Sequence, residues 1–241
     1  MFIRRDFAAQ YKQTILGPLW HFIQPLFTTL VFVVVFSKIA AISTDGLPPL
    51  LFYLSGITIW NYFSSCLIAT SGTFVSNAYI FGKVYFPRLI MPLSIVASNL
   101  VRFGVQMILF IMMVVYYYFQ GAHFQITWAI ALFPLLIILM ALLGLGLGLI
   151  ITALTTTYRD LAFLITFGVQ LMMYATTVIY PLSSAPAKYH TIITLNPMTG
   201  IIEAFRYGFL GKGIITWHTL GYSVIFTVIS VLLGVVIFNK T

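Results

Sequence analysis

The sequence predicts an all-α integral membrane protein: six transmembrane helices in one domain, an N-terminal amphipathic interface helix, and short re-entrant or outer-leaflet helices between the fifth and sixth spans. Three observations carry that expectation. Of 241 residues, 61% are hydrophobic and only 7% are charged, whereas soluble domains carry about 25% charged residues. Mean hydropathy is +1.06. Apolar stretches close to the roughly 20 residues that cross a bilayer recur along the chain, separated by short polar segments. Six of them nearly exhaust its length and leave no room for a sizeable domain outside the membrane.

Residues 3–16 read as a charged amphipathic segment, with Arg4, Arg5, Asp6 and Lys12 set among Phe2, Ile3, Phe7 and Tyr11, and Gly17-Pro18 ends it. The first span is expected over 19–39 and the second over 50–70, joined by a turn holding Asp45-Gly46 and Pro48-Pro49. Residues 71–88 are polar and broken. The third span, 89–119, exceeds the ~30 Å hydrocarbon thickness at about 1.5 Å per residue. Tilt, a cytoplasmic extension or a break near Pro92 would accommodate it. The fourth and fifth spans fall at 128–152 and 161–182, around a tight connection at 155–160. A long segment, 183–218, precedes the sixth span at 220–238. The chain begins abruptly before a charged motif, so an upstream segment is expected.

Six spans put both termini on one side. That side would hold seven cations (Arg4, Arg5, Lys12, Lys83, Arg88, Arg159 and Lys240), against four (Lys38, Lys188, Arg206 and Lys212) on the other. The positive-inside rule then makes both termini cytoplasmic. The net charge of +8 forms no basic stripe, which argues for anionic lipid rather than nucleic acid as its partner.

An enzyme reading lacks parts. His21, His123, His190 and His218 are scattered, Asp6, Asp45, Asp160 and Glu203 form no pair, and there is no Walker A sequence. Metal ligands at usable spacing are missing, and the single cysteine, Cys66, rules out an intrachain disulfide. Gly144 and Gly148, within Gly144-Leu145-Gly146-Leu147-Gly148, instead have the spacing of close helix contact. Arg102 alone places a charge inside a span, facing protein or water, or snorkelling to the interface. Without acidic residues in the span cores, proton or sodium coupling has no carrier.

Three segments narrow the class. The first is Arg5-Asp6, then Tyr11-Lys12-Gln13-Thr14, Leu16-Gly17-Pro18-Leu19-Trp20 and Gln24-Pro25-Leu26. The second is Phe81-Gly82-Lys83-Val84-Tyr85-Phe86-Pro87-Arg88, and the third is Tyr158-Arg159-Asp160-Leu161 followed by Asn196-Pro197-Met198. Over nearly the whole chain, their order and spacing resemble the permease subunits of type-2 ABC exporters of the O-antigen, capsule and teichoic-acid group. That resemblance implies a homodimer of six-helix permeases in the bacterial inner membrane, with two cytoplasmic ABC ATPase subunits. It also implies a polyprenyl-diphosphate-linked glycan as substrate, no cofactor in this chain, and ATP with magnesium on the partner.

It further implies roles for residues. Arg5, Asp6, Tyr11 and Lys12 would form the interface helix. Asn77, Ile80, Phe81, Lys83, Val84, Tyr85, Phe86 and Arg88 would form a loop docking into the ATPase, its apolar side chains filling a pocket that cations ring. Tyr158, Arg159 and Asp160 would add a contact, although Asp160 could equally cap the fifth span. Asn196-Pro197 signals a helix start, beyond which Ile201, Ile202, Phe205 and Phe209 share a face opposite Glu203 and Arg206. With Met198, this helix would belong to an outer gate. Aromatic residues make up 17% of the chain, and Trp60, Tyr62, Phe63, Tyr174 and Tyr180 are candidates for a glycan path, since sugar C–H faces stack on rings. A drug or lipid exporter, an ATP-independent channel and a membrane-embedded transferase are the competing readings.

Overall fold

The computed structural model describes residues 17–74, 89–158 and 160–240, and among them every regular element is helical. A short 3₁₀ turn, Gly17–Leu19, leads into α1 (Trp20–Phe32), which continues as wide π-type turns over Val33–Ile39. Then follow α2 (Pro49–Ser71), α3 (Ile90–Phe119), α4 (Phe133–Thr157) and α5 (Leu161–Tyr174). Two short helices, α6 (Ala187–Thr194) and α7 (Pro197–Leu210), precede α8 (Trp217–Lys240). Among the described residues, five helical stretches are long and apolar enough to cross a membrane: Trp20–Ile39, α2, α3, Trp128–Thr155 and α8.

Side-chain composition sets their order. α2 is the central element, with Leu51 to Ile59 almost wholly buried, because its neighbours cover it on every side. α4 runs parallel to it at backbone contact. A Cβ on Gly144 would stand 2.8 Å from that of Cys66, and one on Gly148 would stand 2.6 Å from that of Thr70. Gly146, on the opposite side, would meet the Val231 nitrogen of α8 at 2.7 Å. The glycine run is therefore a two-sided helix contact: helices in lipid associate by van der Waals fit rather than by hydrophobic burial, so small residues are needed where backbones meet. Cys66 is part of that packing.

The bundle has two distinguishable ends. At one, Thr155 Oγ1 donates to the Ser71 carbonyl at 2.8 Å, and Phe74 stacks on Phe238. At the other, which we term distal, Trp128 stacks on Trp217, and Thr127 donates to the Tyr207 and Gly208 carbonyls. The distal turn after α1 carries positive φ at Ala41, Asp45 and Gly46.

One expectation narrows and one changes. α3 is one unbroken helix of 30 residues; Pro92 lies in its first turn, where its missing N–H costs no hydrogen bond. The fifth span, expected to 182, is helical only to Tyr174 and continues as an irregular segment over 175–181 that is buried at 176–179. Fourteen residues reach about 21 Å at 1.5 Å each, short of a ~30 Å hydrocarbon layer. Irregular backbone at such depth persists only where protein satisfies its polar groups. Here Arg206 takes the Thr177 and Val178 carbonyls.

Candidate functional site: a polar cavity between four helices

Polar residues recur on one face of four helices. On α1 they are His21, Gln24 and Thr28; on α2, Asn61, Ser64 and Ser65; on α3, Asn99, Arg102 and Gln106; on α5, Thr166 and Gln170. Each set follows three- and four-residue spacing, which aligns side chains along one stripe of a helix. Polar groups in a membrane turn toward protein or water because lipid offers them no partners. The four stripes accordingly converge on a cavity of about 470 Å³. Asn61 Nδ2 reaches toward Gln106 Oε1 at 3.5 Å, joining α2 to α3. Apolar walls of Ile68, Phe103, Val169 and Met173 close the rest. No carboxylate is among the described residues that line the cavity, and Arg102 supplies its fixed charge. Arg102 thus lines the cavity.

The aromatic candidates separate. Trp60 and Tyr62 line the cavity, Tyr62 packing its ring 4.9 Å from that of Phe103. Phe63 is fully buried against Trp60 and α4 and does not line it. Tyr174 lies exposed at the end of α5, outside the cavity. Tyr180 belongs to a second, apolar hollow of about 610 Å³ at the distal end, shared with Ile42, Tyr189 and Ile192.

Above the cavity, α7 is built into the core. Asn196 caps it, its side chain accepting from the Met198 N–H at 3.0 Å, and Pro197 occupies the first turn, as the Asn-Pro signal predicts. Met198, Ile201 and Phe205 are buried, as expected of the apolar face. The opposite face is not solvated: Glu203 and Arg206 are 2% and 1% exposed. The Arg206 guanidinium donates to Ser55 Oγ at 3.1 Å and to the Val178 carbonyl at 2.9 Å, contacts the Phe52 carbonyl at 3.3 Å, and also donates to the Thr177 carbonyl. Glu203 Oε1 stands 3.8 Å from it, while Oε2 accepts from the Ile214 N–H at 2.9 Å. Burial draws the Arg206 pKa down to about 10, with Glu203 opposing that shift, so the side chain stays protonated at neutral pH. Arg206 is therefore not a loop cation, as its sequence position suggests, but a strut between α7, α2 and the 175–181 segment.

Of the expected ATPase-contact residues, Arg5, Asp6, Tyr11, Lys12, Asn77, Ile80, Phe81, Lys83, Val84, Tyr85, Phe86, Arg88 and Arg159 lie outside the described residues. Tyr158 is exposed between α4 and α5. Asp160 does occupy the position before α5, but its side chain makes no capping bond; its carbonyl accepts from the Phe163 and Leu164 N–H groups instead. Sequence reasoning missed the cavity's amide and hydroxyl stripes. Their signal was present, since each repeats at helical spacing inside an apolar span.

The family model described as ABC-2 type transporter matches residues 1–210. An O-antigen export system permease protein, RfbA of Klebsiella pneumoniae, is 27% identical over 98% of this chain and 88% of its own. The polysialic acid transport protein KpsM of Escherichia coli is 23% identical, covering 98% and 90%. The capsule polysaccharide export inner-membrane protein BexB of Haemophilus influenzae is 24% identical, covering 97% and 87%.

Proposed function

The chain belongs to the ABC-2 type transporter membrane family, and from that premise we propose that it is the membrane-spanning subunit of an ATP-driven exporter carrying a polysaccharide across the bacterial cytoplasmic membrane. The observation that carries this reading is the cavity. Its carboxamides and hydroxyls suit sugar hydroxyls, and Trp60 and Tyr62 add aromatic surface beside them. The relatives' roles in O-antigen and capsule export support the same substrate class.

In this reading the chain is a transport subunit rather than an enzyme. ATP and magnesium bind a separate ABC ATPase, two copies of which serve two copies of this chain. The cargo is an O-antigen-like glycan on polyprenyl diphosphate. Both termini are cytoplasmic, and α5 with residues 175–181 makes a sixth crossing. The 77–88 loop, the Arg5–Lys12 region (residues 5–12) and Tyr158–Asp160 (residues 158–160) receive the ATPase stroke, while α6 and α7 form the outer gate.

The test is purification of the tagged chain from its native membrane in mild detergent, followed by mass spectrometry. A stoichiometric partner with a Walker A sequence, and ATPase activity that rises with lipid-linked glycan, is the expected result. A chain that purifies without any ATPase, in detergent and in nanodiscs alike, would contradict it.

A further inference from the structure

The distal hollow of about 610 Å³ opens outward beside the end of α1. Ile42 walls it from the turn after α1, Ala175 and Tyr180 from the segment after α5, and Tyr189, Ile192 and Ile193 from α6. Its origin lies in the shortness of α5. After Tyr174 the chain turns inward, burying Thr176 to Ile179, and the space that a longer helix would occupy is left open. The walls are chiefly methyl and ring surface, and an apolar cavity gains little from water. Its lip is apolar too, since Ile39, Tyr174 and Ile192 are exposed.

Two exposed lysines stand near that lip. Lys38 precedes Ala40, which lines the hollow, by two residues. Lys188 Nζ lies 5.8 Å from the centroid of the Tyr189 ring, which lines it from α6. Asp45, the one carboxylate of residues 38–48, is engaged by Ser183 Oγ at 2.7 Å. An apolar slot edged by cations at the end of a membrane span is complementary to a lipid: hydrocarbon suits the slot, and a phosphate suits the lysines.

We propose that the hollow binds one acyl chain of an anionic phospholipid of the distal leaflet, with Lys38 and Lys188 pairing with its headgroup. The bound chain fills the volume that α5 leaves and packs against the Tyr189, Ile192 and Ile193 face of α6. It thereby gives hydrocarbon contact to a crossing whose helical part is short, a need that a bilayer otherwise meets by thinning. The site rests on the crossing by α5 and residues 175–181 proposed above, and the nature of the cargo does not enter it.

The experiment uses the full chain in phosphatidylcholine nanodiscs holding a small share of phosphatidylglycerol with a diazirine at the end of one acyl chain. After irradiation, adducts are mapped by peptide mass spectrometry. Those on Tyr180 and Tyr189 should exceed those on Ile225 and Val228, exposed apolar residues of α8. A phosphatidylcholine probe with the same diazirine should label the hollow about fivefold less, the preference expected from about one lysine at a membrane surface. Lys38→Gln with Lys188→Gln should erase that preference. Ala175→Phe and Ala185→Phe, each filling the hollow from a lining position, should remove its adducts and spare those on α8. Hollow adducts no more frequent than those on α8, or adducts that survive both filling variants, would overturn the proposal. So would a headgroup preference that is absent or that outlasts the lysine variants. Adducts that appear only when a dimer is dissociated would assign the face to a second copy instead. Clearance of the probe by polyprenyl diphosphate at a mole fraction where unlabelled phosphatidylglycerol has no effect would assign it to the carrier; either result also overturns the proposal. Labelling of α8 without the hollow removes the site and leaves the membrane-spanning reading in place, whereas labelling of neither removes both.

Discussion

The guanidinium carbon of Arg206 lies 3.7 Å from the centroid of the Phe52 ring, stacking a buried cation from α7 on an aromatic face of α2. That contact, with the hydrogen bonds to Ser55 and to the carbonyls of the 175–181 segment, ties three non-adjacent parts of the chain at one point. Glu203, one turn away, is also buried, and its Oε1 has no hydrogen-bond partner. Removing Arg206 alone therefore strands a buried carboxylate and several carbonyls. Arg206→Met should lower stability by about 3–5 kcal/mol, the range for breaking a buried pair. Adding Glu203→Gln should restore part of that loss. Thermal unfolding of the purified variants, monitored by size-exclusion recovery, checks both; equal stability of Arg206→Met and the parent would remove the strut.

Gly56 is what lets Arg206 in. A Cβ there would lie 2.8 Å from Arg206 Nη2 and 3.1 Å from the Val178 Cα. Neither can retreat easily, because the guanidinium is held on several sides and the second contact is backbone. Gly56→Ala should cost about 1–3 kcal/mol by overpacking, despite the better helix propensity of alanine. A rise in melting temperature would show that the strut has slack.

The contact between α4 and α8 gives an internally controlled comparison. A Cβ on Gly146 would meet backbone atoms of Ser230 and Val231 at 2.7–3.0 Å, whereas one on Gly104 would meet nothing within 4 Å. Gly146→Ala should separate the helices and lower the melting temperature. Gly104→Ala, gaining up to about 1 kcal/mol of helix propensity, should hold or raise it. Measured in one detergent, equal shifts for the two variants would rule out the backbone contact as the reason for glycine at 146.

How far the sequence reaches can be judged from these residues. Span positions, the Asn196 cap and the meaning of Gly144 and Gly148 are local: hydropathy, a capping side chain and small-residue spacing each state a physical need without naming a distant partner. Arg206 could not be read this way. Six residues from Lys212 and far from the other cations of that side, it looks like an outer-loop charge, and its partners Ser55 and Thr177 are 151 and 29 residues away. The early end of α5 is hidden for the same reason, since residues 175–181 are as apolar as a helix continuation and only a remote guanidinium makes the irregular turn tolerable. The cavity lies between these extremes. Each polar stripe is visible alone, but their convergence depends on helix order.

The proposed outer-gate role of α7 provides the last prediction. α7 is not loosely laid on the bundle: Ser223 Oγ of α8 donates to the Pro197 carbonyl at 2.7 Å, and a Cβ on Gly200 would stand 3.1 Å from the same Ser223 Oγ. If α7 must shift to open the distal end, a covalent tie at this point stops export. Gly200→Cys with Ser223→Cys, in a Cys66→Ser background, places two sulfurs within reach of a bond whose Cβ atoms stand about 3.8 Å apart. Oxidation should block appearance of the glycan at the cell surface, and a reductant should restore it, a reversal that misfolding would not show. Gly200→Ala, which adds the Cβ without the tie, should export. Full export from the oxidised pair would instead make α7 a fixed wall, held by Arg206 on one side and α8 on the other, and would leave α6, the more exposed of the two short helices, as the element that moves.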